Sequence, residues 1–171
     1  MNREEKIREV VSEMLTQRDY KVEDQGENIF ALKPNGKKMC VFGTIIQKLN
    51  SAEIQSHISA MESWKINHCI IIYENTPTPA VLQAIVQASN IGLTIEKFSA
   101  DELQYNPTKH ELVPKHTLLS SEEAELNTGK INGKFYPVLL RTDVIVRFYN
   151  FPRGSMIEIN DDGFIRYKIV R

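Results

Sequence analysis

Four histidines are the side chains best suited to metal binding or acid–base catalysis, and their spacing supports neither. His57, His68, His110 and His116 are scattered along the chain. His110 and His116 lie on either side of a proline, at a separation that matches no standard metal-ligand motif. The pattern therefore favours histidines that bond the backbone or flank an interface over a metal site.

The cysteines and one acidic turn also lack a complete chemical motif. Cys40 and Cys69 are flanked by apolar residues and form neither a CxxC pair nor a disulfide framework, which is typical of reduced core thiols in an intracellular protein. Asp161-Asp162-Gly163 is similar to a fragment of a calcium-binding loop. Because the other ligands of such a loop are missing, a hairpin turn is the favoured interpretation.

Enzyme motifs are absent from the sequence. It contains no GxSxG, HExxH, Walker or GxGxxG pattern. A metal-dependent nuclease needs carboxylates on neighbouring strands, but the two strands of the predicted hairpin, residues 28–32 and 38–42, carry none. Glu96-Lys97 falls on a later strand without a partner acid. We therefore predict no catalytic residue, no metal ligand and no cofactor.

The charge balance argues against a free-standing nucleic-acid-binding protein. The 171 residues carry 21 Lys and Arg against 22 Asp and Glu, a net charge of −1. Residues 1–109 contain 12 basic and 14 acidic residues (net −2), and the remainder contains 9 and 8 (net +1). Neither part has the basic excess usual in such proteins, so any contact with nucleic acid must be local or cooperative with other chains.

Hydrophobic periodicity predicts an N-terminal α/β domain over residues 1–106. Residues 3–18 form a helix, and residues 28–42 form a hairpin around Asn35-Gly36. A helix capped by Ser51, a buried strand over 68–73, a further helix and a strand over 93–98 follow. Ser99 and Glu102 form a capping box for one short helix.

The pattern of predicted elements changes after Asn106-Pro107-Thr108. The residues that follow predict a small, mainly antiparallel α+β module over residues 107–171. An extended segment at 110–119 leads to a short helix beginning at Ser120, and residues 128–133 suggest a turn. Strands are predicted at 144–149, 155–160 and 164–170, with Gly154 in the turn between the first two. Such a module has a thin core and is expected to lean on a partner.

The turn at residues 76–80 is the one N-terminal feature with a plausible function. Thr78 suits the N-cap of a helix, and Pro79 suits its first position. Backbone N–H groups near Pro79 and Ala80, with the hydroxyls of Thr76 and Thr78, could meet phosphates. The alternative is an ordinary capped helix start, which the residues taken alone favour.

Several motifs together resemble one family of transcription proteins. His110-Glu111-Leu112-Val113-Pro114-Lys115-His116, followed by Leu118 to Glu123, resembles the H-x-L-V-P-x-H signature of the H-type subunit of archaeal RNA polymerases and of its eukaryotic counterpart, the fifth subunit shared by the nuclear polymerases. The rest of that pattern follows in order: Arg147-Phe148-Tyr149, Arg153-Gly154, Glu158-Ile159 and Tyr167-Lys168-Ile169-Val170. The N-terminal part is similar to the eukaryotic jaw domain in Arg18-Asp19-Tyr20-Lys21-Val22 and in residues 70–80.

The resemblance implies a non-catalytic subunit of a multisubunit, DNA-directed RNA polymerase. The C-terminal module is then expected to dock on the largest subunit, and the N-terminal domain to form a lower jaw beside downstream duplex DNA. Candidate DNA contacts are Thr76, Thr78, Pro79 and Ala80. The candidate subunit interface comprises His110, Leu112, Val113, Pro114, His116, Arg147, Arg153, Gly154 and Tyr167.

The chain also departs from the family pattern. A loop that precedes the last strand in the family is cut to Asn160-Asp161-Asp162-Gly163. This erosion indicates a divergent polymerase, located in the nucleus or, if a large DNA virus encodes it, in the viral factory or virion. Two alternatives stay open: a diverged α/β enzyme acting on nucleic acid, and a free-standing interaction adaptor.

Overall fold

The computed structural model describes residues 1–128 and 136–171, with the side chains of Asp24 and Thr128 left aside. The chain divides into two compact units, Met1–Tyr105 and Asn106–Arg171. No helix in the described ranges is long and apolar enough to cross a membrane. The turn predicted at 128–133 lies outside the described residues, apart from Thr128, where a helix ends.

The first unit is a mixed sheet with helices on both faces. Its elements are α1 (Arg3–Gln17), β1 (Lys21–Asp24), β2 (Ile29–Leu32), β3 (Lys38–Val41), β4 (Ile46–Lys48), α2 (Ser51–Trp64), β5 (His68–Asn75), α3 (Pro79–Asn90) and β6 (Thr94–Ser99). β1, β2 and β3 pair antiparallel, whereas β3, β4 and β6 each pair parallel with β5. α2 and α3 pack against Ile71 and Tyr73 of β5. α1 covers the other face, where Ile7 and Val11 meet Ile72.

Local signals explain most boundaries in this unit. α1 begins at a capping box in which Asn2 accepts from the Glu5 N–H and Glu5 accepts from the Asn2 N–H. The same reciprocal bonds join Ser99 and Glu102 ahead of a 3-10 turn at Glu102–Gln104. The β2–β3 hairpin closes through Gly36, whose φ of +85° favours glycine. The predicted hairpin and the capping box predicted at Ser99 are confirmed, whereas the box at Asn2 was not predicted and the cap of α2 is Asn50 rather than the predicted Ser51.

The second unit contains a four-stranded sheet in the order β7-β9-β10-β8. Its elements are β7 (Lys115–Leu118), α4 (Ser121–Thr128), β8 (Val138–Leu139), α5 (Val144–Tyr149), β9 (Met156–Asp161) and β10 (Phe164–Val170). β8 pairs parallel with β10 and the other pairs are antiparallel. α5 packs on one face over Ile157 and Ile159, and Ala124 of α4 packs on the other over Met156. The predicted mixed α and β architecture is confirmed.

The strand predicted at 144–149 is wrong, because these residues form the helix α5. Its β-branched run Val144-Ile145-Val146 is typical of a strand. However, the Asp143 carboxylate accepts from the N–H of Ile145 at 2.9 Å and caps the helix. Burial of Ile145, Val146 and Phe148 then outweighs the intrinsic preference of the run.

Two glycine turns frame β9. Asp162 (φ 47°) and Gly163 (φ 91°) connect β9 to β10, so the hairpin interpretation of Asp161-Asp162-Gly163 is confirmed. Gly154 has a φ of +84°, the left-handed conformation expected of a turn. Because α5 replaces the predicted strand, Gly154 connects a helix to β9 rather than two strands.

Candidate functional site

The 76–80 turn lies at the carboxyl end of β5, where a buried strand reaches the surface. Thr76, Thr78, Pro79 and Ala80 are exposed, and Pro77 between them is buried. Ligands of open α/β sheets usually bind at this end of parallel strands. The buried Pro77 anchors the turn, so the structure places all four predicted DNA-contact residues on one exposed surface.

The hydrogen bonds of the turn leave fewer donors than the sequence predicts. Val81 and Leu82 both donate their N–H to the Thr78 carbonyl, at 3.0 and 3.2 Å. Pro79 has no N–H, so Ala80 supplies the remaining backbone donor at the start of α3. The Thr78 side chain makes no capping hydrogen bond, which leaves its hydroxyl available to a ligand.

The turn and α3 carry no charged side chain of their own, and the sheet register places Lys48 of β4 beside Asn75, directly before the turn. Residues 75–95 contain no Lys, Arg, Asp or Glu. The carboxylate of Glu74 is paired with the Arg3 guanidinium at 2.9 Å, and Arg3 also reaches Asp101 at 2.8 Å. The Glu74 hydrogen bond is the main reason that the pKa of Arg3 is raised. The residues of the 76–80 turn can therefore contribute to a contact only through hydrogen bonds.

The 110–116 segment presents one apolar side chain to the surface. Leu112 is 80% exposed, on a turn closed by a hydrogen bond of 2.9 Å from the Val113 N–H to the His110 carbonyl. Val113 and Pro114 are half-buried, and Val113 packs against the core under α5. Leu112 thus points outward while Val113 anchors the segment to its own unit.

Both histidines of this segment serve the local backbone. The Leu112 N–H donates to Nδ1 of His110 at 3.2 Å, and Nδ1 of His116 lies 2.8 Å from the Pro114 carbonyl. The His110 bond lies within the turn that carries Leu112, and the His116 bond connects the first residues of β7 to the end of that segment. The structure therefore gives the two histidines a positioning role around Leu112.

The remaining predicted interface residues do not form one surface. The sheet register aligns His116 with Ile159, and Tyr167 with Glu158, the neighbouring residue of β9. Because successive strand residues face opposite sides, Tyr167 lies on the face opposite His116. Arg147 belongs to α5, on the face of His116.

Arg153 and Gly154 lie at a third position, the end of the sheet where β10 finishes. The Gly154 N–H donates to the Val170 carbonyl at 2.8 Å. Both residues are exposed. The nine residues predicted as one interface thus occupy two faces and one end of the second unit.

A buried ionic network in the first unit was not predicted. Arg18 makes two hydrogen bonds to Glu96, at 2.8 and 2.9 Å, and Nε2 of His68 lies 2.6 Å from the same carboxylate. Burial by itself raises the pKa of Glu96, but the Arg18 charge and the His68 hydrogen bond outweigh it and lower that pKa to about 2. A lone acid within the apolar strand 93–98 was the available signal.

Sequence reasoning also missed a set of exposed apolar side chains on the second unit. Each is at least 45% exposed on an ordered element or turn. They are Val138, Leu140, Val144, Phe164 and Ile165. Val138, Leu140 and Val144 lie near the end of the sheet where β8 finishes, whereas Phe164 and Ile165 lie at its other end, so the five side chains do not form one surface.

The described surfaces offer exposed hydroxyl groups at Thr76 and Thr78 and an exposed apolar side chain at Leu112. Among residues 1–128 and 136–171, no group of three His, Cys, Asp or Glu side chains could hold a metal ion. Comparison with known proteins then identifies the family. Residues 105–170 match the family described as RNA polymerase Rpb5, C-terminal domain.

Full-length relatives extend the match to the first unit. The subunit rpabc1 of DNA-directed RNA polymerases I, II and III from Dictyostelium discoideum is 30% identical over 177 residues, covering 93% of this chain and 90% of that protein. Subunit 5A of DNA-directed RNA polymerase V from Arabidopsis thaliana is 32% identical over 129 residues, covering 74% and 56%. The RPABC1 subunit of Caenorhabditis elegans is 29% identical over 140 residues, covering 78% and 66%.

The chain belongs to the Rpb5 family of RNA polymerase subunits. The predicted resemblance is confirmed, and so is the expectation of an accessory, non-catalytic subunit, because the named relatives are subunits shared between polymerases. The chain therefore functions in transcription.

Proposed function

We propose that this chain docks on the largest subunit of a DNA-directed RNA polymerase through residues 107–171 and presents residues 1–106 as a lower jaw beside downstream duplex DNA. Docking is supported mainly by the exposure of Leu112. This residue lies on a turn that is anchored by a hydrogen bond to His110 and by the half-buried Val113. A side chain that becomes fully desolvated in a pocket of the partner can supply a large share of the binding energy.

We assign docking and the jaw to different parts of the chain because it folds as two compact units. The Rpb5 C-terminal match covers residues 105–170, nearly the whole second unit. A unit of this size buries little apolar surface on folding, so a partner that covers Leu112 stabilises it. The first unit has its own core and needs no such cover, which leaves it available for a projecting role.

The DNA contact is local and independent of base sequence. The exposed hydroxyls of Thr76 and Thr78, together with the Ala80 N–H, can donate to phosphate oxygens. Because the turn carries no positive charge, we expect no measurable DNA binding by the isolated chain at physiological salt. The contact matters only when the assembled polymerase holds the duplex nearby.

The relatives also support a location. Their names assign them to DNA-directed RNA polymerases I, II and III or to DNA-directed RNA polymerase V. We therefore place this chain in the nucleus, with a viral factory or virion as the location if a large DNA virus encodes it.

Docking is tested by replacing Leu112, Val113 and Pro114 together with Ser in the full chain and purifying the polymerase through an affinity tag on another subunit. We expect the variant to be lost from the complex. Leu126→Ser is the matched control, because Leu126 is 86% exposed in the same unit but lies outside the segment. Normal incorporation of the triple variant would contradict the proposed docking surface.

A second experiment compares the two parts of the chain. Residues 110–171 should co-purify with the polymerase, and residues 1–109 should not. The reverse result would exchange the roles of the two units. Recovery of the full chain without any polymerase subunit would favour a free-standing adaptor, and turnover of nucleic acid by the pure chain would favour the enzyme alternative.

The DNA contact is tested by the double change Thr76→Glu and Thr78→Glu in assembled polymerase. The salt concentration at which elongation complexes dissociate should fall, with little dependence on DNA sequence. Gln83→Glu with Gln87→Glu is the matched control, since it adds the same two charges to exposed positions of α3. Equal salt resistance of both variants and the unchanged protein would leave the 76–80 turn as an ordinary helix start.

A further inference from the structure

Three arginines meet at the end of the second sheet where β8 and β10 finish. The Arg141 N–H donates to the Arg171 carbonyl at 2.9 Å, and the Arg171 N–H donates to the Leu139 carbonyl at 3.0 Å. Arg153 joins them because its neighbour Gly154 donates to the Val170 carbonyl at 2.8 Å. Backbone hydrogen bonds of the sheet therefore position all three arginines at one end.

Two exposed apolar side chains accompany these arginines. Leu140 is 59% exposed and Val144 is 54% exposed, and a hydrogen bond of 2.9 Å from the Asp143 N–H to the Leu140 carbonyl folds them into one tight turn. Below, the arginine patch means Leu140, Arg141, Val144, Arg153 and Arg171.

The positive charge on which the patch depends comes from Arg141 and Arg153. Arg141 and Arg153 are exposed, and neither forms an ion pair within the part of the chain that the structure describes. The Arg141 guanidinium donates to the Phe151 carbonyl at 3.4 Å, which orients it without neutralising it. The nearby Asp143 carboxylate accepts hydrogen bonds from the N–H groups that begin α5, and it forms no ion pair with Arg141 or Arg153.

We propose that the arginine patch is a second contact surface, which binds an acidic segment containing apolar residues on a neighbouring polymerase subunit. The inference rests on the proposed function, because it assumes that the chain is assembled into a polymerase. The patch would be a second site, at the end of the sheet and separate from Leu112. Its side chains also indicate the chemistry of the partner segment that binds there.

The mixture of side chains favours a protein partner over a nucleic-acid backbone. Protein interfaces combine arginine with apolar side chains at their centre, whereas nucleic-acid interfaces are more polar and far more positively charged. Guanidinium groups bind carboxylates through two parallel hydrogen bonds, which suits Asp or Glu in the partner. Leu140 and Val144 supply the apolar contact area between the arginines.

The experiment introduces Arg141→Glu with Arg153→Glu into the full chain and measures incorporation into polymerase as a function of salt. We expect recovery in the complex to fall on the order of tenfold, because reversed charges repel an acidic partner. Arg153→Glu alone should give a smaller loss in the same direction, and it leaves the bond from Arg141 to Phe151 intact. Leu140→Ser should weaken incorporation without changing its salt dependence.

Arg166→Glu is the matched control, because Arg166 is exposed on the same strand β10 but lies near the opposite end, beside Asp161. Equal incorporation of the patch variants and this control, with the unchanged chain incorporated normally, would overturn the patch and leave the proposed function standing. Normal incorporation combined with a weaker hold on DNA or RNA would also overturn it, in favour of a nucleic-acid backbone. Absence of the unchanged chain from polymerase would instead refute the proposed function.

Discussion

The two units place their apolar and charged side chains in opposite ways. Of the twelve largest fully buried side chains among the described residues, only Ile157 belongs to the second unit. Among its described residues, the second unit nevertheless exposes eight large apolar side chains, against seven on the much longer first unit. The first unit buries Arg18 with Glu96, whereas the second keeps Arg141 and Arg153 on its surface.

The first unit can therefore be stable by itself, whereas the second is expected to depend on a partner. A side chain that is buried within its own unit contributes to the stability of the isolated chain. One that stays exposed contributes only when a partner covers it. Substitutions in the core of the first unit are therefore expected to lower its stability. Substitutions on the surface of the second unit are expected to weaken its binding to a partner.

The largest expected effect is the loss of the buried network through Glu96→Ala. This change leaves the Arg18 charge buried without its carboxylate and should lower the free energy of unfolding of the first unit by about 3–5 kcal/mol. Denaturant unfolding of the full chain measures it. The control is Arg3→Ala, which removes a comparable but exposed pairing and should change stability little. Equal effects of the two changes would contradict the contrast drawn between buried and exposed charge.

Acid should weaken the first unit through the same carboxylate. Because the pKa of Glu96 is lowered from 4.5 to about 2 on folding, its contribution is fully present above about pH 4.5 and is lost as the pH falls toward 2. The contribution lost is on the order of 3 kcal/mol. Glu96→Gln should remove this dependence, so unfolding curves collected between pH 5 and 2 should differ in slope from those of the unchanged chain. Parallel curves would show that other groups dominate acid unfolding.

Substituting one glycine in each unit should lower stability, but for a different physical reason in each case. Gly154→Val places a β-branched residue at a φ of +84° with open space around it, so strain alone should cost about 1–3 kcal/mol. Gly43→Ala instead brings a Cβ to 1.8 Å from the Glu27 carbonyl oxygen, which forces a shift of the backbone. Thermal unfolding distinguishes strain from steric overlap. Gly154→Asn should be nearly as stable as the unchanged chain, whereas Gly43→Ser should be no more stable than Gly43→Ala.

The smallest expected change in stability is that of Leu112→Ser. The side chain is 80% exposed, so its loss should alter the free energy of unfolding by less than about 0.5 kcal/mol. Leu82→Ser, at a 41% exposed position of α3, should behave similarly in the isolated chain. Only Leu112→Ser should reduce recovery with the polymerase, and an equal reduction by Leu82→Ser would remove the special role of the 110–116 segment.

Local chemistry made several elements predictable. Asn35-Gly36 predicted the β2–β3 hairpin, because these residues tolerate the positive φ that its turn requires. The pairs Asn2 with Glu5 and Ser99 with Glu102 cap their own neighbours, so nothing distant is needed to form them. Thr78-Pro79 similarly marked the start of α3. The Rpb5 family was predictable because its signature around Leu112 is contiguous in the chain.

Other features were decided only by packing between distant parts of the sequence. Val144–Tyr149 has the pattern of a strand until Ile145 and Val146 are buried against β9, and that burial makes it a helix. Arg18 and Glu96 are far apart in sequence, so no local pattern announces their contact. Arg141, Arg153 and Arg171 likewise meet only where β8, β10 and the Gly154 turn end together. The sequence thus determined short-range turns, caps and the family, whereas the sheet register decided which charges share a surface, because a register exists only once distant strands have paired.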